Sequence, residues 1–171
     1  MGIDVMTELY RREYPRRLDR LRRLVQGVKR GEAGPVTLLM LYGSLARLMP
    51  WWGSDTDVLV LYSSLNGREE WETNVTTFLH LPRSIEDEML DEHYRWPIKP
   101  IPDDATASHM DEDFLANVGQ DGVLLYDAEG AERPVALREL RSFDAWVEDV
   151  RRLLERTRPA QTQVEASSAA E

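Results

Sequence analysis

Two short apolar runs dominate the first half of the chain, Val36–Tyr42 and Val58–Tyr62. Continuous runs of Val, Leu and Tyr that are bounded by turn residues predict strands buried on both faces. The first run ends on Gly43–Ser44, and the second is entered through Asp55–Asp57. The pattern therefore predicts a tight turn and a pair of carboxylates at neighbouring strand ends.

Helical periodicity marks both ends of the chain. Residues 3–30 carry apolar side chains at helical spacing, with arginines on the other faces. Pro15 suits the first turn of a helix, so the pattern predicts a short helix before it and a longer one ending near Gly31. A second amphipathic helix is predicted from Pro134 to about Arg156.

The middle of the chain predicts smaller elements. The first is a helix over Arg68–Leu79, followed by an exposed acidic segment over Ser84–His93. Tyr94–Ile101 is predicted to be an edge or irregular strand, because it holds two prolines. A helix over Met110–Val118, closed by Gly119 and Gly122, and a strand over Val123–Tyr126 complete the set.

The fold class expected is α/β (α+β), with a small mixed sheet flanked by helices. We expect one domain over residues 1–158 and a disordered tail over 159–171.

The strand ends suit an anionic ligand and a cation. Gly43 lets the backbone turn tightly and approach a ligand, and a helix starting over Ser44–Leu48 would aim its free N–H groups at a phosphate. Asp55 and Asp57 alternate along a strand, so both side chains project from the same face. Two adjacent carboxylates suit Mg²⁺, which binds proteins through one or two carboxylates plus substrate phosphates.

Gly43-Ser44, ten further residues, and then Asp55-Thr56-Asp57 followed by Val-Leu-Val resemble the signature of the nucleotidyltransferase superfamily typified by DNA polymerase β. The form is most similar to the minimal nucleotidyltransferase domains of prokaryotes. Arg47 falls where those domains usually carry an arginine. The resemblance covers roughly residues 34–127.

This resemblance implies a nucleotidyltransferase fold and a Mg²⁺- or Mn²⁺-dependent transfer of AMP, or another nucleoside monophosphate, from ATP or another NTP to a hydroxyl group. Asp55 and Asp57 would be the catalytic metal ligands, and Gly43, Ser44 and Arg47 would bind the nucleotide. In the similar small domains the acceptor is often a tyrosine of a HEPN-type toxin. The resemblance thus implies a protein partner and a toxin–antitoxin role.

One position departs from the family pattern. The family carries a third carboxylate on a strand in this part of the chain, and the best register puts Lys99 there. Asp103 or Asp104 would take the role of third metal ligand if the register shifts. A lysine at this position would repel a second cation. The alternative hypothesis is therefore a catalytically inactive nucleotidyltransferase-like module that acts as a binding or antitoxin subunit.

Composition narrows the environment and the partners. The 171 residues include no cysteine, so neither disulfides nor thiolate zinc sites are expected. The start lacks an apolar signal segment and no run is long enough to span a membrane, which predicts a cytoplasmic protein. The net charge of −10 disfavours a nucleic-acid-coating surface.

Charge is unevenly distributed, since residues 11–30 carry +7 and the remainder −17. The basic helix is interpreted as a solvated face, or else as a surface for an acidic partner, a tRNA or the triphosphate. Trp51 and Trp52 would cover the core, or would stack on a nucleobase or a protein partner. The three histidines, His80, His93 and His109, show no metal-ligand spacing and are expected to be surface or structural residues.

Overall fold

A computed structural model of the chain describes residues 3–31, 35–49, 55–63 and 98–156. The helices are α1 (Ile3–Lys29), the short α2 (Gly43–Ala46), α3 (Glu112–Asp121) and α4 (Phe143–Arg156), with a 3-10 turn at Val135–Leu137. The strands are β1 (Val36–Tyr42), β2 (Thr56–Tyr62), β3 (Ile98–Asp104), β4 (Val123–Asp127) and β5 (Arg141–Ser142).

The five strands form one mixed sheet in the order β3-β2-β1-β4-β5. β1 is antiparallel to both of its neighbours, whereas β3 is parallel to β2 and β5 is parallel to β4. The end of β1 and the starts of β2, β3 and β4 therefore meet at the same end of the sheet. This end holds the predicted Gly-Ser turn and Asp pair.

Every residue of β1 is buried, because both faces of the sheet are covered. On one face α1 and α4 pack against alternate strand residues such as Leu39, Leu41 and Val60. On the other face α3 and the 3-10 turn pack against the intervening residues, such as Leu38 and Met40. The predicted class, a small mixed sheet with terminal helices packed on it, is confirmed.

β3 is an edge strand of the described sheet, as was predicted for Tyr94–Ile101 from Pro97 and Pro100. β3 spans Ile98–Asp104 and thus continues past the predicted end at Ile101, whereas residues 94–97 of the predicted segment lie outside the described residues. Pro100 and Pro102 lie two residues apart, so their missing amide hydrogens fall on the same side of the strand.

The N-terminal helix differs from the prediction in two ways. It is one helix with Pro15 in its interior, not two helices separated by that proline. Arg17 and Arg20, which were expected on solvated faces, are buried, with 5% and 2% of their surface exposed. The buried face of α1 is therefore wider than the positions of its leucines predicted.

Two other helix boundaries needed correction. Pro134 does not open the last helix; it precedes the 3-10 turn, and α4 begins only at Phe143, after β5. Gly119 does not close α3, which continues to Asp121. A Cβ on Gly119 would lie 2.1 Å from the carbonyl oxygen of Ala136, so glycine is needed there for close packing rather than for termination.

Several predictions fall outside the described residues: the Trp51–Trp52 loop, the helix over 68–79, the acidic segment over 84–93, His80, His93 and the tail over 159–171. Within the described residues, no helix combines the length and the apolar character that crossing a membrane requires.

Candidate functional site

The turn after β1 lies directly against the second carboxylate of the Asp pair. Gly43 has a φ of +77°, a conformation that side chains rarely adopt. A Cβ on this residue would stand 2.6 Å from Oδ2 of Asp57. Glycine is therefore required at position 43 both by the backbone conformation and by the close approach of the carboxylate. The structure brings together these two parts of the predicted site.

Tyr42 and Asp57 are register partners across β1 and β2. Burial, together with a smaller contribution from the nearby charge of Asp57, raises the pKa of Tyr42 to about 12. The Tyr42 ring packs edge-on against Phe114 of α3, with ring centroids 5.7 Å apart. Tyr42 is therefore a neutral, fixed wall beside the Asp57 carboxylate. The sequence analysis did not single it out, because a tyrosine at a strand end is read as core.

Asp55 and Asp57 are both partly exposed, whereas Thr56 between them is buried. This alternation is what a strand end gives, and it places both carboxylates toward the open side. The missing side chain at Gly43 lets the Asp57 carboxylate lie directly against the turn. Partly exposed hard oxygen donors beside an open turn fit a Mg²⁺ ion held by carboxylates and ligand phosphates.

The Ser44 helix is shorter than predicted. It begins at Gly43 and ends at Ala46, and the exposed Arg47 follows it. Ser44 is partly exposed, and its carbonyl accepts a hydrogen bond from the amide of Met49 at 2.9 Å. One turn of helix supplies amide donors near Gly43 but little helix dipole.

Two side chains from the C-terminal region hold this turn in place. The carbonyl oxygen of Ala46 accepts hydrogen bonds from Nη2 of Arg141 at 2.9 Å and from Nε1 of Trp146 at 3.2 Å. Arg141 also donates to Asp149 at 2.8 Å, and Trp146 is fully buried. The sequence could not reveal this tether, because it joins residues about a hundred positions apart in the chain.

Of the residues considered for a third carboxylate position, Lys99 is the one that lies level with the Asp pair. Lys99 pairs with Asp57 across β2 and β3. Asp103 and Asp104 pair with Leu61 and Tyr62 instead, four to five residues further along the strand. At about 3.3 Å per residue, this separation exceeds about 13 Å. The structure does not bring Asp103 or Asp104 to the Asp55–Asp57 pair.

Asp103 and Asp104 contact His109 at the opposite end of the sheet. The sequence analysis did not connect these residues, because their spacing matches no metal-binding pattern and only the turn after β3 brings the histidine back. A pair of acids at the end of a strand with a histidine a few residues later was the only signal present.

Comparisons with known proteins add little. No protein-family model matches the chain, and no curated protein sequence matches it. One solved structure, a crystal structure of a toxin–antitoxin with AMP-PNP, is 13% identical and aligns over 90% of this chain and 93% of its own, with a TM-score of 0.40. A TM-score this low does not by itself establish a shared fold, so the functional argument depends on the site.

Proposed function

We propose that the protein is a Mg²⁺-dependent nucleotidyltransferase that moves a nucleoside monophosphate, most often AMP from ATP, to a hydroxyl acceptor. The single observation that supports this most is the contact between the Gly43 turn and the Asp57 carboxylate. Phosphoryl and nucleotidyl transfer depend on positioning and charge neutralisation, and these two elements would supply both.

Each residue has a specific task in this proposal. The amides of the turn at Gly43 and Ser44 would bind phosphate oxygens, and Arg47 would add positive charge. Asp55 and Asp57 would hold the metal, which supplies charge neutralisation at the reacting phosphate. Tyr42, the register partner of Asp57, would form one wall of the site.

The transfer step is a displacement at phosphorus. The acceptor oxygen forms a bond to the α-phosphorus while the bond from that phosphorus to the bridging oxygen breaks. Pyrophosphate leaves with the bonding electron pair, and the hydroxyl proton passes to a carboxylate or to water. The resemblance to minimal nucleotidyltransferases supports a protein hydroxyl as acceptor, such as a tyrosine of a HEPN-type toxin.

A second candidate is a nucleotidyltransferase-like subunit that binds nucleotide or a partner protein but transfers nothing. The register of Lys99 opposite Asp57 favours it, since a lysine replaces the carboxylate that would help to hold a second cation. This candidate predicts nucleotide or partner binding without covalent product.

The experiment that separates the two uses ATP labelled at the α-phosphate, Mg²⁺ and candidate partner proteins. The matched variants are Asp55→Asn/Asp57→Asn and the control Asp113→Asn/Asp144→Asn, which removes two exposed helix-end carboxylates. Label on a protein acceptor that disappears only in the first variant supports transfer. Partner binding without label, unchanged in both variants, contradicts transfer and supports the binding subunit.

A further inference from the structure

The end of β3 opposite to the candidate nucleotide site carries a compact group of three side chains, Asp103, Asp104 and His109, which we name the β3-end cluster. Asp103 is fully buried, Asp104 is 8% exposed, and the side chain of His109 is 44% exposed. Nδ1 of His109 lies 2.7 Å from Oδ1 of Asp103 and 3.4 Å from Oδ2 of Asp104. One ring nitrogen therefore faces both carboxylates.

The turn after β3 creates this arrangement. The amide of Ala107 donates to the carbonyl of Asp104 at 2.9 Å, and Ala107 is buried against the α3 side of the sheet. The chain is thereby folded back, and the amide of His109 donates to Oδ2 of Asp103 at 3.1 Å. Both the backbone amide and the ring nitrogen of His109 therefore contact Asp103.

The cluster has an excess of negative charge. The amides and the hydroxyls of Thr106 and Ser108 donate hydrogen bonds to the Asp104 carboxylate. Among the described residues, His109 is the one ion-pair partner of either aspartate. Even a protonated imidazole offers one positive charge for two carboxylates. Buried carboxylates are stabilised by pairing or by coordinating a metal.

The spacing of the donor atoms fits a metal ion. Ligand atoms bound at about 2.0–2.2 Å around a tetrahedral or octahedral ion stand about 3.0–3.4 Å apart. The distances from Nδ1 of His109 to the oxygens of Asp103 and Asp104 are 2.7 and 3.4 Å, just below this range and at its upper end. All three donor atoms lie within 4.8 Å of one another. A small shift of the half-exposed His109 ring would complete the geometry.

We propose that Asp103, Asp104 and His109 bind a transition-metal dication of the zinc type. The imidazole would ligate through Nδ1 and carry its proton on Nε2. An imidazole with two carboxylates suits Zn²⁺, Co²⁺ or Mn²⁺, whereas Mg²⁺ prefers oxygen ligands alone.

The bound ion would fix the end of β3 to the segment that leads into α3. It would do so about 13 Å or more along the strand from the residue that faces Asp57. The site is therefore structural and independent of nucleotide chemistry. A test of metal binding at this site can therefore succeed or fail independently of a test of the proposed transferase function.

The test uses the metal-free full-length chain and titration with Co²⁺ followed by its visible absorption, then displacement by Zn²⁺. We expect one equivalent of Co²⁺ at this site, displaced by Zn²⁺ and not by Mg²⁺. His109→Gln keeps an amide donor for Asp103 but removes the imidazole, and should weaken Zn²⁺ binding at least about tenfold. Zn²⁺ should raise the melting temperature of the wild type but not of this variant.

Two controls decide the assignment. His80→Ala removes another histidine, and Asp55→Asn/Asp57→Asn removes the other acid pair; both should retain the Co²⁺ spectrum and the Zn²⁺ affinity. The proposal is overturned if the wild type binds no Zn²⁺ at about 100 μM, a concentration far above structural zinc affinities. It is equally overturned if His109→Gln binds as tightly as the wild type, which would make the cluster a hydrogen-bonded turn only.

Discussion

The two ends of the sheet use the same residue types for different purposes. At the Gly43 end, Asp55 and Asp57 are partly exposed, and the Asp57 carboxylate lies directly against the glycine turn. At the opposite end, Asp103 and Asp104 are buried and accept hydrogen bonds from the turn that follows them. An open carboxylate pair is suited to exchange ligands during a reaction, whereas an enclosed pair is suited to fix the chain.

Gly43→Ala should have the largest effect on this contrast. The added Cβ would meet Oδ2 of Asp57 at 2.6 Å, and the positive φ would be strained as well. We expect nucleotide affinity to fall at least about 100-fold, about 2.7 kcal/mol, by displacement of the carboxylate or the turn. Zn²⁺ binding at the β3-end cluster should not change. Fluorescent-nucleotide titration and Zn²⁺ titration measure the two ends separately.

Gly130→Ala is the matched control for that change. Gly130 has a φ of +74° but nothing within 4 Å of its added Cβ, so it isolates the backbone strain. The free energy of unfolding of the Gly130→Ala variant should fall by about 1–2 kcal/mol, and its nucleotide affinity should not change. Equal loss of nucleotide binding in both variants would contradict a specific role for the Gly43–Asp57 contact.

Lys99→Asp tests the difference between the two candidate functions. It places a carboxylate in the register position opposite Asp57, where a second cation could be held. If the missing acid limits transfer, the rate of label transfer should rise by about 100-fold, at the low end of what a positioned catalytic group contributes. Lys99→Gln removes only the positive charge and should give a smaller gain. A fall in transfer with Lys99→Asp would show that the lysine itself takes part.

Arg141→Gln should have an intermediate effect, confined to the Gly43 end. The change removes the hydrogen bond to Ala46 and the ion pair with Asp149, and should lower the free energy of unfolding by about 1–2 kcal/mol. Nucleotide affinity should fall severalfold because the turn is less well held. Arg151→Gln, which removes an exposed arginine paired within α4, should change neither quantity. Thermal melting and nucleotide titration provide the measurements.

His109→Gln in metal-free protein should have the smallest effect. The half-exposed ring contributes one hydrogen bond to Asp103, and glutamine retains a donor, so the free energy of unfolding should fall by less than about 1 kcal/mol. Nucleotide binding should be unchanged. Chemical denaturation without metal checks this; a loss of nucleotide affinity would contradict the independence of the two ends.

Strands and the Gly-Ser turn could be predicted from the sequence because their signals are local. The apolar run Val36–Tyr42 is β1 without any change of boundary. Glycine at position 43 predicted a tight turn, and the backbone there has a positive φ of +77°. The edge position of this segment was predicted from Pro97 and Pro100, of which Pro100 lies in β3.

Features that depend on tertiary contacts could not be predicted. The helix rule for proline failed at Pro15, where packing of a long helix on the sheet outweighs one lost hydrogen bond. It failed again at Pro134, where close packing at Gly119 holds the following segment in a 3-10 turn. The tether on Ala46 and the return of His109 to Asp103 join residues whose proximity exists only in the folded chain.

The prolines of β3 also affect how the folded protein meets other chains. An edge strand with a full row of amide donors is a template on which foreign strands can add, and such addition begins aggregation. Pro100 and Pro102 remove two donors from the same side of this strand, and proline on edge strands turns that side outward. Along this edge of the described sheet, an incoming strand would find two gaps in its hydrogen-bond ladder, which disfavours the addition of a foreign strand to β3.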